Sequence, residues 1–154
     1  MSNKYMPNLE WSSKSNSQVP EGNLDTDSIL YLSDHERDLD HCPNRLILGD
    51  NLRVMRALLP EYQEKIDLIY ADPPFFTNKG YSVRIGRGED SRKPEEWQLA
   101  EGYLDEWDDL DSYLDMLYPR LQLMHQLLSP TGSIYLHLDW HANSYARILL
   151  DEIF

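Results

Sequence analysis

The chain has 154 residues, which is room for one domain with a single hydrophobic core. Its hydrophobic content of 41%, with four Trp and ten Tyr, is typical of a folded protein and excludes a wholly disordered one. The net charge of −13 opposes contact with phosphates, so this chain by itself is not expected to bind DNA strongly.

The sequence carries no sign of export or of membrane insertion. The single cysteine, Cys42, excludes an internal disulfide framework and fits a reducing compartment. The opening residues contain no apolar segment of the kind found in signal peptides, and no apolar run approaches the ~20 residues of a membrane span. We therefore expect a cytoplasmic protein without a membrane partner.

Residues 1–44 are polar and weakly periodic, and they include the run SSKSNSQVPEGN. Such a composition predicts an extended, partly disordered lead-in, with a short packed piece at DSILYL. The ordered domain is expected to span residues 45–154.

Strand and helix patterns alternate from residue 45 onward. LIL at 46–48 predicts a short strand, NLRVMRALLPEY predicts a helix that Pro60 ends, and KIDLIYA predicts a buried strand. Residues 75–109 form a long excursion, and a structureless stretch of that length inside a compact domain is usually functional or mobile.

The second half continues the alternation. Apolar residues recur at helical spacing from position 110 to 128, which predicts an amphipathic helix with a kink or break at Pro119. SPTG at 129–132 predicts a turn, SIYLHLD a third strand and ANSYARILLDEIF a third helix. This order predicts an α/β fold with a parallel sheet and right-handed crossovers.

Each of the three predicted strands ends in an aspartate, namely Asp50, Asp72 and Asp139. In open parallel sheets, ligands bind at the carboxyl ends of the strands. We therefore expect all three acids at one edge of the sheet, where a binding site is predicted.

The segment Asp72-Pro73-Pro74-Phe75 has a distinct chemistry. Two prolines restrict the backbone and remove two N–H donors, so the strand end offers acceptors only: the Asp72 carboxylate and the carbonyls of Asp72 and Pro73. Acceptors suit a ligand group that donates two hydrogens, such as an exocyclic amine, and a phenyl face can stack on a planar ring. The alternative is a stiffened turn with a core phenylalanine, and the placement after a strand favours the pocket for an amino-bearing base.

Two long stretches carry a resemblance to a known family. RLILGDNLRVMRALLPEYQEKIDLIYADPPFFT and YLDMLYPRLQLMHQLLSPTGSIYLHLDWHANSYARILLDEIF resemble the amino-methylating DNA methyltransferases, whose N4/N6 enzymes carry Asp/Asn/Ser-Pro-Pro-Tyr/Phe/Trp as the catalytic motif. The likeness covers residues 45–154 and is greatest to adenine-specific enzymes of the β circular order, including type III modification subunits. It implies a Rossmann-like, doubly wound parallel sheet that is only partly contained in this chain.

The resemblance also implies roles for residues that match the motif. Asp72 and the Pro73 carbonyl would accept hydrogen bonds from the target amine, Pro74 would complete the rigid turn, and Phe75 would stack on a flipped-out base. The methyl group would come from S-adenosylmethionine, with Asp50 near the adenine of that cofactor. DNA is the implied substrate, and a restriction subunit is a further possible partner.

The sequence departs from the family in one important respect. No Phe-x-Gly-x-Gly cofactor loop occurs in the chain, and the GRG at 86–88 lacks the strand before it and the helix after it that such a loop needs. We interpret residues 45–154 as the N-terminal catalytic part of a methyltransferase, with the cofactor loop downstream, and expect the chain alone to be inactive. Alternatives are a truncated, non-catalytic module that acts by association, or cytosine N4 in place of adenine as the target.

Several side chains have a simpler interpretation beside the functional one. Asp50 can be the N-cap of its helix, and Asp139 is best explained as the N-cap of a helix that starts near His141. His137, Asp139 and His141 would share a face of an extended strand, as metal ligands can, but no further Cys/His cluster supports a metal site and none is predicted.

The long excursion supplies the remaining candidates. Phe76 and Tyr81 either line the mouth of the pocket or cover the core. Four basic residues can contact phosphates or form a solvated loop: Arg84, Arg87, Arg92 and Lys93.

Overall fold

The computed structural model describes residues 8–16, 19–24, 45–85 and 98–154. A short 3-10 helix comes first, at Lys14–Asn16. The regular elements that follow are helix α1 (Asn51–Tyr62), strands β1 (Ile66–Ala71), β2 (Lys79–Ile85) and β3 (Gln98–Asp105), helix α2 (Leu110–Leu127), strand β4 (Leu128–Leu136) and helix α3 (Asn143–Ile153). The result is an α/β arrangement with a short parallel sheet.

Strands β1 and β4 pair in parallel, which confirms the predicted parallel arrangement for these two strands. The predicted first strand at 46–48 is wrong. Those residues form no strand, and Leu46 and Leu48 are fully exposed. A short apolar run becomes a strand only where a neighbouring strand pairs with it, and none of the described strands lies beside this run.

The β1–β4 sheet is covered on one face only. Ile134 and Leu136 of β4 pack against the main core, whereas Leu68, Tyr70 and Tyr135 on the other face are exposed. The prediction that KIDLIYA contains a strand is confirmed, but among the described residues this strand is only partly buried, with Leu68 and Tyr70 exposed. The alternation follows from the pleat, which sends successive side chains to opposite faces.

The predicted turn at 129–132 is part of β4, at an irregular point in its pairing. Ile66 of β1 pairs with Leu128 of β4, and Leu68 pairs with Ser133. More residues therefore lie between the two pairs on β4 than on β1, and the extra residues of β4 are not paired with β1. Gly132 lies in this irregularity, and a Cβ at that position would be 2.8 Å from the Ile66 carbonyl oxygen. The close approach of the two backbones thus requires glycine.

Both prolines that were expected to end or interrupt helices lie within them. Pro60 occupies the last turn of α1, which continues to Tyr62, and α2 runs unbroken through Pro119. Pro119 is buried, so packing around α2 holds the helix across the missing hydrogen bond. The predicted helix end at Pro60 and the predicted break at Pro119 are corrected accordingly.

Helix α2 is the centre of the core. Its N-terminus is fixed by a capping box between Asp109 and Ser112. One side of α2 packs with α3 in the main core, and the other side packs with α1 in a smaller core. Fully buried side chains of the main core are Tyr113, Leu114, Leu117, Leu121 and Leu149.

Part of the polar lead-in packs on this core. The Trp11 indole nitrogen donates a hydrogen bond of 2.7 Å to Asp115 of α2. The Lys14 ammonium lies 2.7 Å from a carboxylate oxygen of Glu152 in α3. Residues 8–16 therefore join α2 to α3 from outside. No helix in the described ranges has both the length and the apolar character that crossing a bilayer requires.

The long excursion contains regular structure that the sequence pattern does not indicate. β2 and β3 form an antiparallel pair, with Lys79 opposite Asp105 and Ile85 opposite Gln98. The residues between these two strands, 86–97, lie outside the described ranges. Because β3 ends at Asp105, this pair delivers an acid to the segment that follows β1.

Candidate active site at the carboxyl edge of the parallel strands

The ends of β1 and β4 bring Asp72 and His137 together. The His137 amide donates to the Ala71 carbonyl at 2.9 Å, which extends the pairing of the two strands beyond their last assigned residues. His137 Nδ1 then lies 3.3 Å from Asp72 Oδ1, and each side chain is 56% exposed. The Asp72 carboxylate therefore has a histidine neighbour and is still open to a ligand.

The two prolines leave one carbonyl available beside that carboxylate. The Tyr113 hydroxyl donates a hydrogen bond of 2.9 Å to the Pro74 carbonyl oxygen. The Pro73 carbonyl accepts no hydrogen bond from any residue that the structure describes. The site thus keeps two acceptors, the Asp72 carboxylate and the Pro73 carbonyl, next to each other in the chain.

The Tyr113 hydroxyl is a dependable donor. Burial, together with the nearby Asp105 and Asp139 carboxylates, raises the pKa of Tyr113 well above its usual value. The hydroxyl therefore stays protonated and keeps its bond to the Pro74 carbonyl. This bond links the site to the first turns of α2.

The two phenylalanines that follow the prolines have different surroundings. The Phe75 ring lies edge-on to His137, with ring centroids 5.4 Å apart, at the open edge of the sheet. The Phe76 ring lies 5.2 Å from the Tyr113 ring and packs on the main core. Of the two possibilities for Phe76, covering the core is the one observed. The Tyr81 hydroxyl lies 3.1 Å from the Thr77 hydroxyl, beside the same segment.

Asp139 does not cap α3 in the predicted way. The N-cap of α3 is Ala142, without a side-chain hydrogen bond. Asp139 instead accepts bonds of 2.8 Å from the His141 amide and from His141 Nδ1. Burial raises the pKa of Asp139, but the two bonds from His141 outweigh it and lower the pKa overall. Asp139 is therefore an anion that closes the turn before α3.

Asp50 is the N-cap of α1. Its side chain accepts a bond of 3.1 Å from the Arg53 amide and lies 3.4 Å from the Arg120 guanidinium. Because it follows no strand, the structure does not place it at the sheet edge with Asp72 and Asp139. Of the three acids predicted to end strands, Asp72 directly follows β1, and Asp139 lies three residues beyond the end of β4.

The histidines that suggested a metal site are engaged separately. His137 faces Asp72, and His141 faces Asp139. In the described part of the chain, no group of three or more His, Cys, Asp or Glu side chains is placed to hold a metal ion. The basic candidates for phosphate contact, Arg84 among them, have side chains outside the described set, so their role stays a prediction.

Sequence reasoning missed two residues of this site. The sequence suggests His137 only as a metal ligand, but the pairing of Ala71 with Leu136 places the next residues, Asp72 and His137, opposite each other. Asp105 was not singled out at all. It is fully buried and accepts hydrogen bonds from the backbone of residues 75–77. No local signal marks such an acid, because its partners lie about thirty positions earlier in the chain.

The fold is that of an α/β protein, and its candidate site is built around Asp-Pro-Pro-Phe at the carboxyl edge of a parallel sheet. A sequence profile of the DNA methylase family matches residues 66–154, which include β1, the Asp-Pro-Pro-Phe segment, α2, β4 and α3. The chain belongs to this DNA methylase family, and the resemblance inferred from its motifs is confirmed.

Individual relatives point the same way. The chain is 31% identical to the type III restriction-modification enzyme EcoPI Mod subunit of Escherichia phage P1, over 95% of its own length and 24% of that protein. It is 30% identical to the EcoP15I Mod subunit of Escherichia coli over the same shares. It is 33% identical to the type II methyltransferase M.EcaI of Enterobacter cloacae, over 73% of the chain and 22% of that protein.

The chain spans about a quarter of the length of the curated relatives that it matches. The matched quarter contains the Asp-Pro-Pro-Phe segment and both parallel strands.

Proposed function

We propose that this chain carries the target-base half of a DNA methyltransferase site that modifies an exocyclic amine of a flipped-out base, the 6-amino group of adenine. The observation that supports this most is the open acceptor pair: Asp72 is half exposed, and no described residue donates to the Pro73 carbonyl. An amine has two hydrogens to donate, and two acceptors at a rigid strand end match it.

The chain's own residues would act mainly by positioning. With both amine hydrogens held by the Asp72 carboxylate and the Pro73 carbonyl, the nitrogen lone pair would be left free to attack a methyl group. Phe75, at the open edge, would stack on the base once it has left the duplex. His137 lies beside Asp72, with its Nδ1 3.3 Å from the carboxylate, and would help to orient that carboxylate toward the amine.

The implied cofactor is S-adenosylmethionine, which when bound supplies an electrophilic methyl group. Within this chain, Asp50 is the residue that we propose for contact with it. The fit is partial: the Asp50 side chain is 51% exposed and thus accessible, but its oxygens already serve the α1 N-terminus and Arg120. We therefore propose that the glycine-rich part of the cofactor site, and the further strands of a doubly wound sheet, belong to sequence outside this chain.

The partners follow from the same proposal. DNA is the substrate, contacted mainly by regions other than this acidic chain, whose net charge is −13. Several relatives are named as Mod subunits of type III restriction-modification enzymes. A restriction subunit is accordingly the protein partner that we propose.

Adenine is expected as the target rather than cytosine. The reason is the acid at position 72, since cytosine-N4 enzymes of this kind more often carry serine there. Mass spectrometry of nucleosides from DNA methylated by an enzyme of the relatives' full length that contains this segment tests the assignment. A 6-methyladenine peak is expected, and 4-methylcytosine without 6-methyladenine would overturn it.

The chain by itself is expected neither to bind S-adenosylmethionine tightly nor to methylate DNA. It contains no Phe-x-Gly-x-Gly segment, and its net charge opposes phosphate contact. Calorimetry with the purified chain and the cofactor measures this directly. Micromolar binding would show that the glycine-rich segment is dispensable.

The missing glycine-rich segment also favours a second candidate, a non-catalytic module that acts by association. The two candidates differ in what an enzyme of full length does. A methyl product from such an enzyme supports the first candidate, and its absence despite correct folding and cofactor binding supports the second.

A further inference from the structure

The Asp105 carboxylate accepts five hydrogen bonds, and four of them come from the segment that follows the two prolines. The side chain is fully buried at the end of β3. Its carboxylate accepts bonds from the amides of Phe75 at 3.2 Å, Phe76 at 3.1 Å and Thr77 at 2.8 Å. The Thr77 hydroxyl adds a bond at 2.7 Å, and the Trp107 indole nitrogen adds one at 2.8 Å.

This arrangement explains an unusual backbone. Phe76 has a φ of 63°, in the left-handed region that bulky residues rarely adopt. The turn aims three successive N–H groups at one point, as in the concave backbone sites that bind anions. The Asp105 carboxylate is the anion at that point, so it compensates for the unfavourable conformation.

The charge state of Asp105 suits this task. Burial raises the pKa of the carboxyl, but the hydrogen bonds from Thr77, Trp107 and Phe76 outweigh burial and lower the pKa below its usual value. The group is therefore an acceptor-only carboxylate at neutral pH.

We propose that Asp105 is a positioning residue for the base-binding site. By fixing the backbone of residues 75–77, it sets the direction of the Phe75 ring and of the turn that presents the Pro73 carbonyl beside Asp72. Because Asp105 is the last residue of β3, its hydrogen bonds also connect the β2–β3 pair to the Asp-Pro-Pro-Phe segment. The predicted effect of Asp105 on catalysis rests on the proposed function. The predicted effect on the backbone of residues 75–77 does not depend on it.

The geometric part is tested by amide hydrogen exchange, followed by NMR, on the 154-residue chain. Asp105→Asn keeps the shape but turns one acceptor oxygen into a donor, so at least two of the five bonds are lost. The amides of residues 75–77 should exchange at least ~10-fold faster, while those of α2 change little. Unchanged exchange at 75–77 overturns the proposal.

Two further variants keep this result decisive. Thr77→Val leaves the three amide bonds to Asp105 in place and removes the hydroxyl, with its bonds to Asp105 and to Tyr81. The same amides should exchange faster than in the unmodified chain but to a smaller extent than in Asp105→Asn, and this variant gives a result even if Asp105→Asn fails to fold. Asp109→Ala is the matched control: it removes a carboxylate that caps α2 through Ser112 and touches none of residues 75–77. If Asp109→Ala accelerates those amides equally, the effect is general loosening and the proposal is wrong.

The catalytic part is tested in an enzyme of the relatives' full length that carries this segment. Asp105→Asn should lower kcat by ~10- to 100-fold, the order expected when a reacting group is displaced by about 1 Å, and leave KM for the methyl donor within about threefold. Asp109→Ala should keep kcat near that of the unmodified enzyme. Normal kcat in Asp105→Asn refutes the positioning role. If Asp72→Ala is fully active as well, the proposed function is wrong. The hydrogen-exchange measurement then still tests whether Asp105 fixes the backbone of residues 75–77.

Discussion

Asp72→Ala is expected to lower methyl transfer by at least ~100-fold in an enzyme of full length, with affinity for S-adenosylmethionine within a few-fold of normal. Asp72 is proposed to hold the target amine and not the cofactor. Removing its carboxylate leaves the Pro73 carbonyl as the remaining acceptor, so the lone pair of the amine loses its direction. Single-turnover kinetics on an adenine substrate, with cofactor binding measured separately, gives both quantities.

Asp67→Ala is a suitable control for that experiment. Asp67 is an exposed aspartate of the same strand, whose side chain accepts a bond of 3.1 Å from Ser129 and lies away from the carboxyl edge. Its loss should leave turnover within about twofold, as expected for an exposed position outside special structural features. Near-normal turnover of Asp72→Ala would remove Asp72 from the mechanism.

Tyr113→Ala is expected to destabilise the chain by about 3–5 kcal/mol, the range for truncating a large buried aromatic side chain. Tyr113 is fully buried, and its ring contacts both Phe76 and Trp107. Its removal leaves a cavity between α2 and the segment after the prolines. Urea denaturation measures the change, provided that the slope m stays the same in both proteins.

Tyr113→Phe separates the hydroxyl from the ring. It keeps the packing but leaves the Pro74 carbonyl without its donor, which costs about 1–3 kcal/mol for a buried acceptor. The loss should therefore be smaller than for Tyr113→Ala and clearly above zero. Equal stability of Tyr113→Phe and the unmodified chain would show that water replaces the hydroxyl and that this bond does not tie α2 to the site.

Local patterns in the sequence determined much of this protein. Alternation of strand and helix signals predicted the parallel pairing of β1 with β4, and the helical spacing of apolar residues predicted α2. The Asp-Pro-Pro-Phe segment was placed correctly after a strand, because its neighbours Ile66–Ala71 are strand-forming residues. The family assignment rests on the same short-range features, since motifs are read from adjacent residues.

Other features depend on contacts between distant parts of the chain, and only the tertiary structure decided them. The run at 46–48 has a strand-like composition, yet no described strand pairs with it. Pro119 interrupts a helical pattern, but the buried surroundings of α2 hold the helix intact. The sequence left open whether Phe76 lines the mouth of the pocket or covers the core, and its contact with Tyr113 in the core decided this.

Asp105 shows the physical reason most clearly. In the sequence it is one of several acids in LDEWDDLD, and nothing in its immediate neighbours distinguishes it. Pairing of β3 with β2 brings it to amides 28 to 30 positions away, where it becomes fully buried. Secondary-structure propensity and hydrophobic periodicity depend on residues that are close together in the sequence. The hydrogen-bond partners of a buried carboxylate depend on the whole fold, because every buried donor and acceptor needs a partner in the folded chain.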